Sequence, residues 1–213
     1  MTAEIIQMYL QEEPQVYLQV LVYIWKELMP TPALSFAVRE LGCDGGIMVT
    51  ASHNPAKYNG YKVYGADGCQ IANEAADRIL DEINNVDTFS DYKLVDFEEG
   101  LKSGIIEYVS EDTFNAFIDA VSTQTFIGDD IVKNVKIAYT PLYGTGLSSV
   151  TTCLMKNGFT NIEVVKEQAT PNGDFPTCPY PNPEIREALE VGLNVAKEVG
   201  ADILSATDPD CDR

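Results

Sequence analysis

Asp208, Asp210 and Asp212 alternate along a short segment that follows an apolar run. In an extended loop this spacing lets three carboxylates converge on one cation, and anionic oxygen ligands suit Mg²⁺ or Ca²⁺. The competing reading is a solvated acidic turn in an acidic chain. An EF-hand would need glycine where Arg213 stands. A hydroxyl, Ser52, sits in the polar loop Thr50-Ala51-Ser52-His53-Asn54-Pro55, although most loop serines only cap or turn the chain. His53 is its immediate neighbour and is expected to be a poor base for that hydroxyl, because adjacent side chains seldom address the same atom. It is better placed to meet an anion or local backbone. Lys57 and Lys62 read as solvated lysines from composition alone. Gly144-Thr145-Gly146 could offer backbone N–H groups to a phosphate at a helix start, but two glycines are weak evidence and a plain strand-to-helix turn is the better reading. Neither the P-loop nor the dinucleotide-binding glycine spacing is present.

Composition narrows the chemistry. The 213 residues carry 33 acidic and 14 basic side chains, a formal net charge of −19, so phosphate-backbone neutralisation is unsupported and no nucleic-acid partner is expected. With 45% apolar residues the chain can bury a core. No run reaches the ~20 apolar residues of a membrane span, and no basic segment precedes an apolar one at the N-terminus. Five scattered cysteines without a C-x-x-C pair argue for a reducing, cytoplasmic setting. His53 is the single histidine, which removes sites needing two imidazoles from this chain.

The elements that must position these residues follow from periodicity. Residues 1–14 show no clean period, and 15–25 read as a strand. Thr31 is the expected N-cap and Pro32 the first position of a helix over 32–41, with Leu34, Val38 and Leu41 on one face and Gly42 ending it. Strands are predicted over 45–50 and 61–64, then a helix over 73–84 with Ala76, Ile79, Leu80 and Ile83 inward. A short strand lies around 105–109. Ser110 caps a helix reaching Val121, with Phe114, Phe117, Ile118 and Val121 as its stripe. Beyond a boundary near 124–134, strands over 135–139, 162–165 and 202–207 alternate with helices over 144–157 and 183–200. That alternation is the signature of a parallel α/β layer, in which ligands collect at the carboxyl ends of strands. The Ser52, Gly144 and Asp208 loops all follow strands.

Together these loops resemble the α-D-phosphohexomutase family of phosphoglucomutases and phosphomannomutases. Thr50-Ala51-Ser52-His53-Asn54-Pro55 with Asn59-Gly60-Tyr61-Lys62 is similar to its phosphoserine loop, and Asp208 to Arg213 to its metal loop. Cys211 stands where that loop usually has glycine. Gly65 to Gln70 looks like the phosphoglucomutase and phosphopentomutase-like branch.

The resemblance implies an α/β fold of two partial α/β/α domains with mixed and parallel sheets. Residues 1–125 would form domain I, lacking its first part, and 126–213 domain II. Domains III and IV would be absent, so the chain is expected to be a fragment. The implied enzyme interconverts glucose 1-phosphate and glucose 6-phosphate, with glucose 1,6-bisphosphate as activator and intermediate, and the chain alone should turn over poorly. Ser52 would carry the phosphoryl group. Asp208, Asp210 and Asp212 would hold one Mg²⁺ with the Ser52 oxygen. Lys62 would be a general acid or base, His53 an assistant, and Arg213 a phosphate-loop contact. Partners would be a sugar phosphate and further copies of the chain meeting through surface that missing domains would cover. Pentose or mannose phosphate specificity, a non-catalytic metal- or phosphate-binding fragment, and a phosphatase with Asp208 as nucleophile are the alternatives.

Overall fold

The computed structural model describes residues 3–8 as backbone and residues 20–87, 95–126, 128 and 131–213 in full. The first sheet contains β1 (Ala3–Met8), β2 (Val20–Ile24), β3 (Gly45–Val49), β4 (Tyr61–Gly65) and β5 (Ile106–Tyr108) in the order β4-β3-β1-β2-β5. It is mixed: β1 runs antiparallel to β2 and β3, β4 antiparallel to β3, and β5 parallel to β2. Around it lie α1 (Thr31–Glu40), α2 (Asn73–Asn85), α3 (Phe97–Ser103) and α4 (Glu111–Thr123). A second sheet, all parallel, has the order β7-β6-β8, from β6 (Ile137–Thr140), β7 (Ile162–Val164) and β8 (Ile203–Ala206), with α5 (Gly146–Lys156) and α6 (Glu190–Val199). Two layers of sheet and helix, one mixed and one parallel, accord with the expected fold class.

α1 forms the core of the first layer. Ala33, Leu34, Ala37 and Val38 repeat on its inner face and are fully buried with Met48 of β3 and Phe117 and Ile118 of α4. Burying the larger of these, Leu34, Val38, Met48, Phe117 and Ile118, contributes roughly 1.5–3 kcal/mol each. The helix packs closely because Gly46 offers no side chain: a Cβ there would meet Val38 Cγ2 and Leu34 Cδ1. In the second layer every residue of β6 is buried, as a central parallel strand covered on both faces requires.

Several expectations need correcting. The opening residues are not patternless throughout, since β1 lies within them; residues 15–19 of the expected strand lie outside the described residues. Pro30, not Thr31, occupies the cap position of α1, and Thr31 enters the helix with its hydroxyl turned elsewhere. α2 forms as patterned, yet Ile79, Leu80 and Ile83 are exposed, because a 3.6-residue period specifies a helix and not what covers it. In α4, Val121 is likewise exposed, although Phe117 and Ile118 are buried. The helix expected from 183 starts only after a 3₁₀ turn at Arg186–Leu189. Asn182 Oδ1 accepts the Glu184 N–H at 2.9 Å, an Asx turn that holds the chain out of helix. α3 went unread in the mixed acidic stretch, although Asp96 caps it by accepting the Glu99 N–H.

Among the described residues no helix is long and apolar enough to cross a membrane. All five cysteines are unpaired thiols. Burial pushes the Cys43 and Cys178 thiols up to about 11, which starves them of thiolate at neutral pH, whereas Cys69 is exposed. Brief iodoacetamide treatment at pH 7.5 should therefore modify Cys69 about tenfold or more faster than Cys43 or Cys178, as read by peptide mass mapping. Equal rates at the three would show that the two core thiols are not enclosed as described.

Candidate active site

β3 delivers its chain to the loop 50–60, which returns into β4, so Ser52 and Lys62 hang from neighbouring strands. The loop is braced from within. The Ser52 N–H donates to Thr50 Oγ1 at 2.8 Å, and Thr50 N–H donates to the Gly60 carbonyl. Ser52 has φ 53°, left-handed backbone that a non-glycine residue adopts only under local constraint. This turn changes the expected role of His53. Its Nδ1 lies 3.3 Å from Ser52 Oγ and 3.9 Å from Asp208 Oδ2, so the two adjacent side chains do converge.

β8 delivers the second half of the site. Asp208 and Asp210 are fully buried, and Ser52 Oγ donates to Asp208 Oδ2 at 3.3 Å across 156 residues of sequence. The other Asp208 oxygen, Oδ1, accepts the backbone N–H groups of Asp212 and Arg213 at 3.1 and 3.2 Å, which curls the loop around it. Cys211 sits at the crest with φ 53°, a left-handed position that would suit glycine without strain.

Charges are compensated unequally. Lys62 Nζ donates to Asp210 Oδ2 and Asp212 Oδ2, both at 2.9 Å. Burial alone would lower the Lys62 pKa; its bonds to Asp212 and Asp210 outweigh that and hold it above the usual lysine range. It is therefore an ammonium that can donate a proton or offset charge but not accept one. Burial would raise the Asp210 carboxyl, and Lys62 together with the Thr31 hydroxyl brings it below its ordinary value. Among the described residues no lysine or arginine pairs with Asp208, and burial, then the charges of Asp210 and Asp212, push its carboxyl upward.

The donor set fits a hard divalent ion. One ligand oxygen from each of Asp208, Asp210 and Asp212 lies within 4.8 Å of the others. Asp210 Oδ1 is buried without a hydrogen-bond partner among the described residues. A buried carboxylate oxygen left unpaired is costly, and a few carboxylate oxygens completed by phosphate oxygens or water are the ligands that Mg²⁺ takes.

Two supports were not legible in the sequence. The Thr31 hydroxyl donates to Asp210 Oδ2 at 3.0 Å and its N–H to the Asp210 carbonyl at 2.9 Å, so the start of α1 holds the aspartate loop. The Gly144 turn is the other. Thr145 gives both its N–H and its hydroxyl to the Pro209 carbonyl, so that turn clamps the loop rather than presenting a phosphate cradle. A Cβ on Gly144 would run into the Pro209 backbone. Gly144→Ala is expected to cost about 1–3 kcal/mol, read as a lower urea midpoint at unchanged slope; an unchanged midpoint would mean the clamp is slack. Arg213 Nη1 pairs with Glu184 Oε1 at 3.5 Å.

Comparison with known proteins is consistent along most of the chain. The family model described as phosphoglucomutase/phosphomannomutase, alpha/beta/alpha domain I, matches residues 16–89, and that of domain II matches residues 115–213. A phosphoglucomutase of Staphylococcus saprophyticus is 38% identical over 183 residues, covering 86% of this chain and 33% of the relative. A phosphoribomutase of Saccharomyces cerevisiae is 36% identical over 203 residues, covering 88% of this chain and 32% of the relative. A solved structure from Thermus thermophilus, assigned as a phosphomannomutase, superposes with a TM-score of 0.64 at 28% identity, covering 90% of this chain and 40% of that one. The chain thus spans about a third of the length of the curated relatives it matches.

Proposed function

Because the chain belongs to the phosphoglucomutase/phosphomannomutase family, matching its first two α/β/α domains, we propose that it carries the phosphoserine half of a sugar-phosphate mutase. The substrate in this reading is glucose 1-phosphate or glucose 6-phosphate, interconverted through glucose 1,6-bisphosphate. The observation that carries it is the 3.3 Å approach of Ser52 Oγ to Asp208 Oδ2, which joins a loop hydroxyl to the buried carboxylates.

The chemistry follows from the contacts. Phosphoryl transfer depends on in-line positioning and charge stabilisation more than on elaborate covalent steps. Ser52 Oγ forms the new P–O bond as the bond from phosphorus to the departing sugar oxygen breaks. Its proton is donated to Asp208 Oδ2 at 3.3 Å, and His53 Nδ1 lies at the same distance, an acceptor in the tautomer protonated at Nε2. Asp208 Oδ2 already accepts the Ser52 hydroxyl in the resting geometry. Lys62, held as an ammonium at the edge of the cluster, offsets charge and can return a proton to the sugar oxygen. Asp208, Asp210, Asp212 and the Ser52 oxygen would hold Mg²⁺, which when bound supplies positive charge to the phosphoryl oxygens. Arg213, tied to Glu184, would tether the loop's far end.

A pentose phosphate is the second reading, favoured by the likeness to the yeast phosphoribomutase. The test is peptide mass mapping after incubation with glucose 1,6-bisphosphate and Mg²⁺, and in parallel with ribose 1,5-bisphosphate. Phosphate on Ser52 that requires Mg²⁺ is the expected result, and its absence with both donors would overturn the reading.

A further inference from the structure

The central strand β6 carries a hydroxyl that its core does not require. Tyr139 is fully buried, and a buried phenol is costly unless its hydroxyl finds a partner. Here the partner is Thr207: Tyr139 OH lies 2.9 Å from Thr207 Oγ1. Phenylalanine would fill the same place with no polar atom to satisfy, so what the hydroxyl adds is its hold on Thr207.

Thr207 follows β8 and immediately precedes Asp208. Its N–H donates to the Thr140 carbonyl at 3.1 Å, which ties the main chain to β6 while the side chain meets Tyr139. The far limb of the aspartate loop returns to the same point. Cys211 N–H donates to the Asp208 carbonyl at 3.0 Å, closing a turn, and the Cys211 thiol lies beside the Thr207 hydroxyl. The three side chains meet over the start of α5: a Cβ on Gly146 would lie 2.5 Å from Tyr139 OH, 2.7 Å from Thr207 Oγ1 and 2.9 Å from Cys211 Sγ. Only a residue without a Cβ admits all three unmoved. The segment carrying Asp208 and Asp210 is thus held at both ends, Thr207 and Cys211, against one buried hydroxyl.

Placement matters because Asp208 is used on both sides. Oδ2 accepts the Ser52 hydroxyl, and Oδ1 accepts the N–H groups of Asp212 and Arg213. A shift of Thr207 therefore moves this carboxylate relative to Ser52 and to the other two aspartates. Groups that orient metal-binding side chains from behind change metal affinity about 10–100-fold when removed. We propose that Tyr139 is a positioning residue, which through Thr207 and Cys211 sets the aspartate loop in the arrangement that takes Mg²⁺ beside Ser52. The inference rests on the reading of Asp208, Asp210 and Asp212 as metal ligands and adds to it a residue of the neighbouring strand.

Calorimetric titration with Mg²⁺ compares the unmodified chain with Tyr139→Phe, Thr207→Val, Thr207→Ser and the double variant Tyr139→Phe/Thr207→Val. Tyr139→Phe keeps the ring and should weaken Mg²⁺ about tenfold, and Thr207→Val about as much. Thr207→Ser keeps the hydroxyl and should stay within about twofold of the unmodified chain. The double variant should bind within about twofold of either single one, because each substitution removes the same contact. Urea unfolding without Mg²⁺ is read on the same proteins. Unchanged Mg²⁺ affinity in Tyr139→Phe, with or without a lower urea midpoint, would reduce Tyr139 to a core residue and overturn the proposal, as would losses that simply add in the double variant. Should Tyr139→Phe not fold, Thr207→Val against Thr207→Ser decides: weaker binding in the valine variant alone supports the proposal, and equal binding in both overturns it. Mg²⁺ bound equally by the unmodified chain and Tyr139→Phe leaves the metal reading standing. An unmodified chain that binds no Mg²⁺ overturns that reading, and this inference falls with it.

Discussion

Incubated with glucose 1,6-bisphosphate and Mg²⁺, the chain should gain one phosphoryl group on Ser52, and Ser52→Ala should lower that incorporation at least about a thousandfold, because no other group can replace a covalent nucleophile. The expectation is sharp because Ser52 Oγ donates to Asp208 Oδ2 at 3.3 Å, with His53 Nδ1 equally near, on a strained turn that commits its direction. Asp208→Asn separates this from the phosphatase alternative. If Asp208 were the nucleophile, its substitution would abolish labelling and Ser52→Ala would not. In the mutase reading Asp208→Asn slows labelling, through loss of the acceptor and of metal charge, yet whatever phosphate forms still maps to Ser52. Label on the peptide that holds Asp208, or undiminished label in Ser52→Ala, would sink the reading.

Asp210→Asn should have the second largest effect, on metal affinity. Asp210 is fully buried, carries an unpartnered Oδ1, and ties together Thr31 and Lys62 through Oδ2. Replacing it with a neutral isostere removes a ligand charge and leaves Lys62 with Asp212 alone. We expect Mg²⁺ affinity to fall roughly 10–100-fold or more. Calorimetric titration reads this directly, and so does thermal unfolding: a ligand at 100 times its Kd stabilises by about 2.7 kcal/mol, a gain the variant should lose at the same Mg²⁺ concentration. The metal-free variant is a separate measurement. There, relief of repulsion at Asp208 offsets part of the lost Lys62 pairing. An Mg²⁺ response equal in both proteins would show that the ion, if bound, is not held by this cluster.

The resemblance carried by two short motifs foretold the family and fold class, and local patterns foretold most elements. α1, β3, β4, α4, β6, α5, β7 and β8 all appear within a few residues of where period and caps put them. Errors fell where a local rule had a tertiary competitor. Thr31 had every feature of an N-cap, yet its hydroxyl serves Asp210. The glycine turn at 144–146 is the strand-to-helix turn that its sequence suggested, between β6 and α5, and its clamp on Pro209 is what the sequence did not show. His53 Nδ1 comes within 3.3 Å of Ser52 Oγ, although adjacent side chains diverge in ordinary extended backbone, because Ser52 does not have that backbone.

By itself, the sequence determined what acts over a few residues: apolar period, capping chemistry, the alternation of carboxylates and the run of groups around Ser52. Those signals are local because they arise from backbone dihedrals and from hydrogen bonds spanning a turn or two. Only the tertiary structure decided that Ser52 meets Asp208, that Lys62 bridges Asp210 and Asp212, and that Thr31 supports Asp210. Such contacts join residues far apart in the chain, and their partners are chosen by how two sheets and their helices bury apolar faces. That choice is a property of the whole packing, which no short stretch of sequence contains.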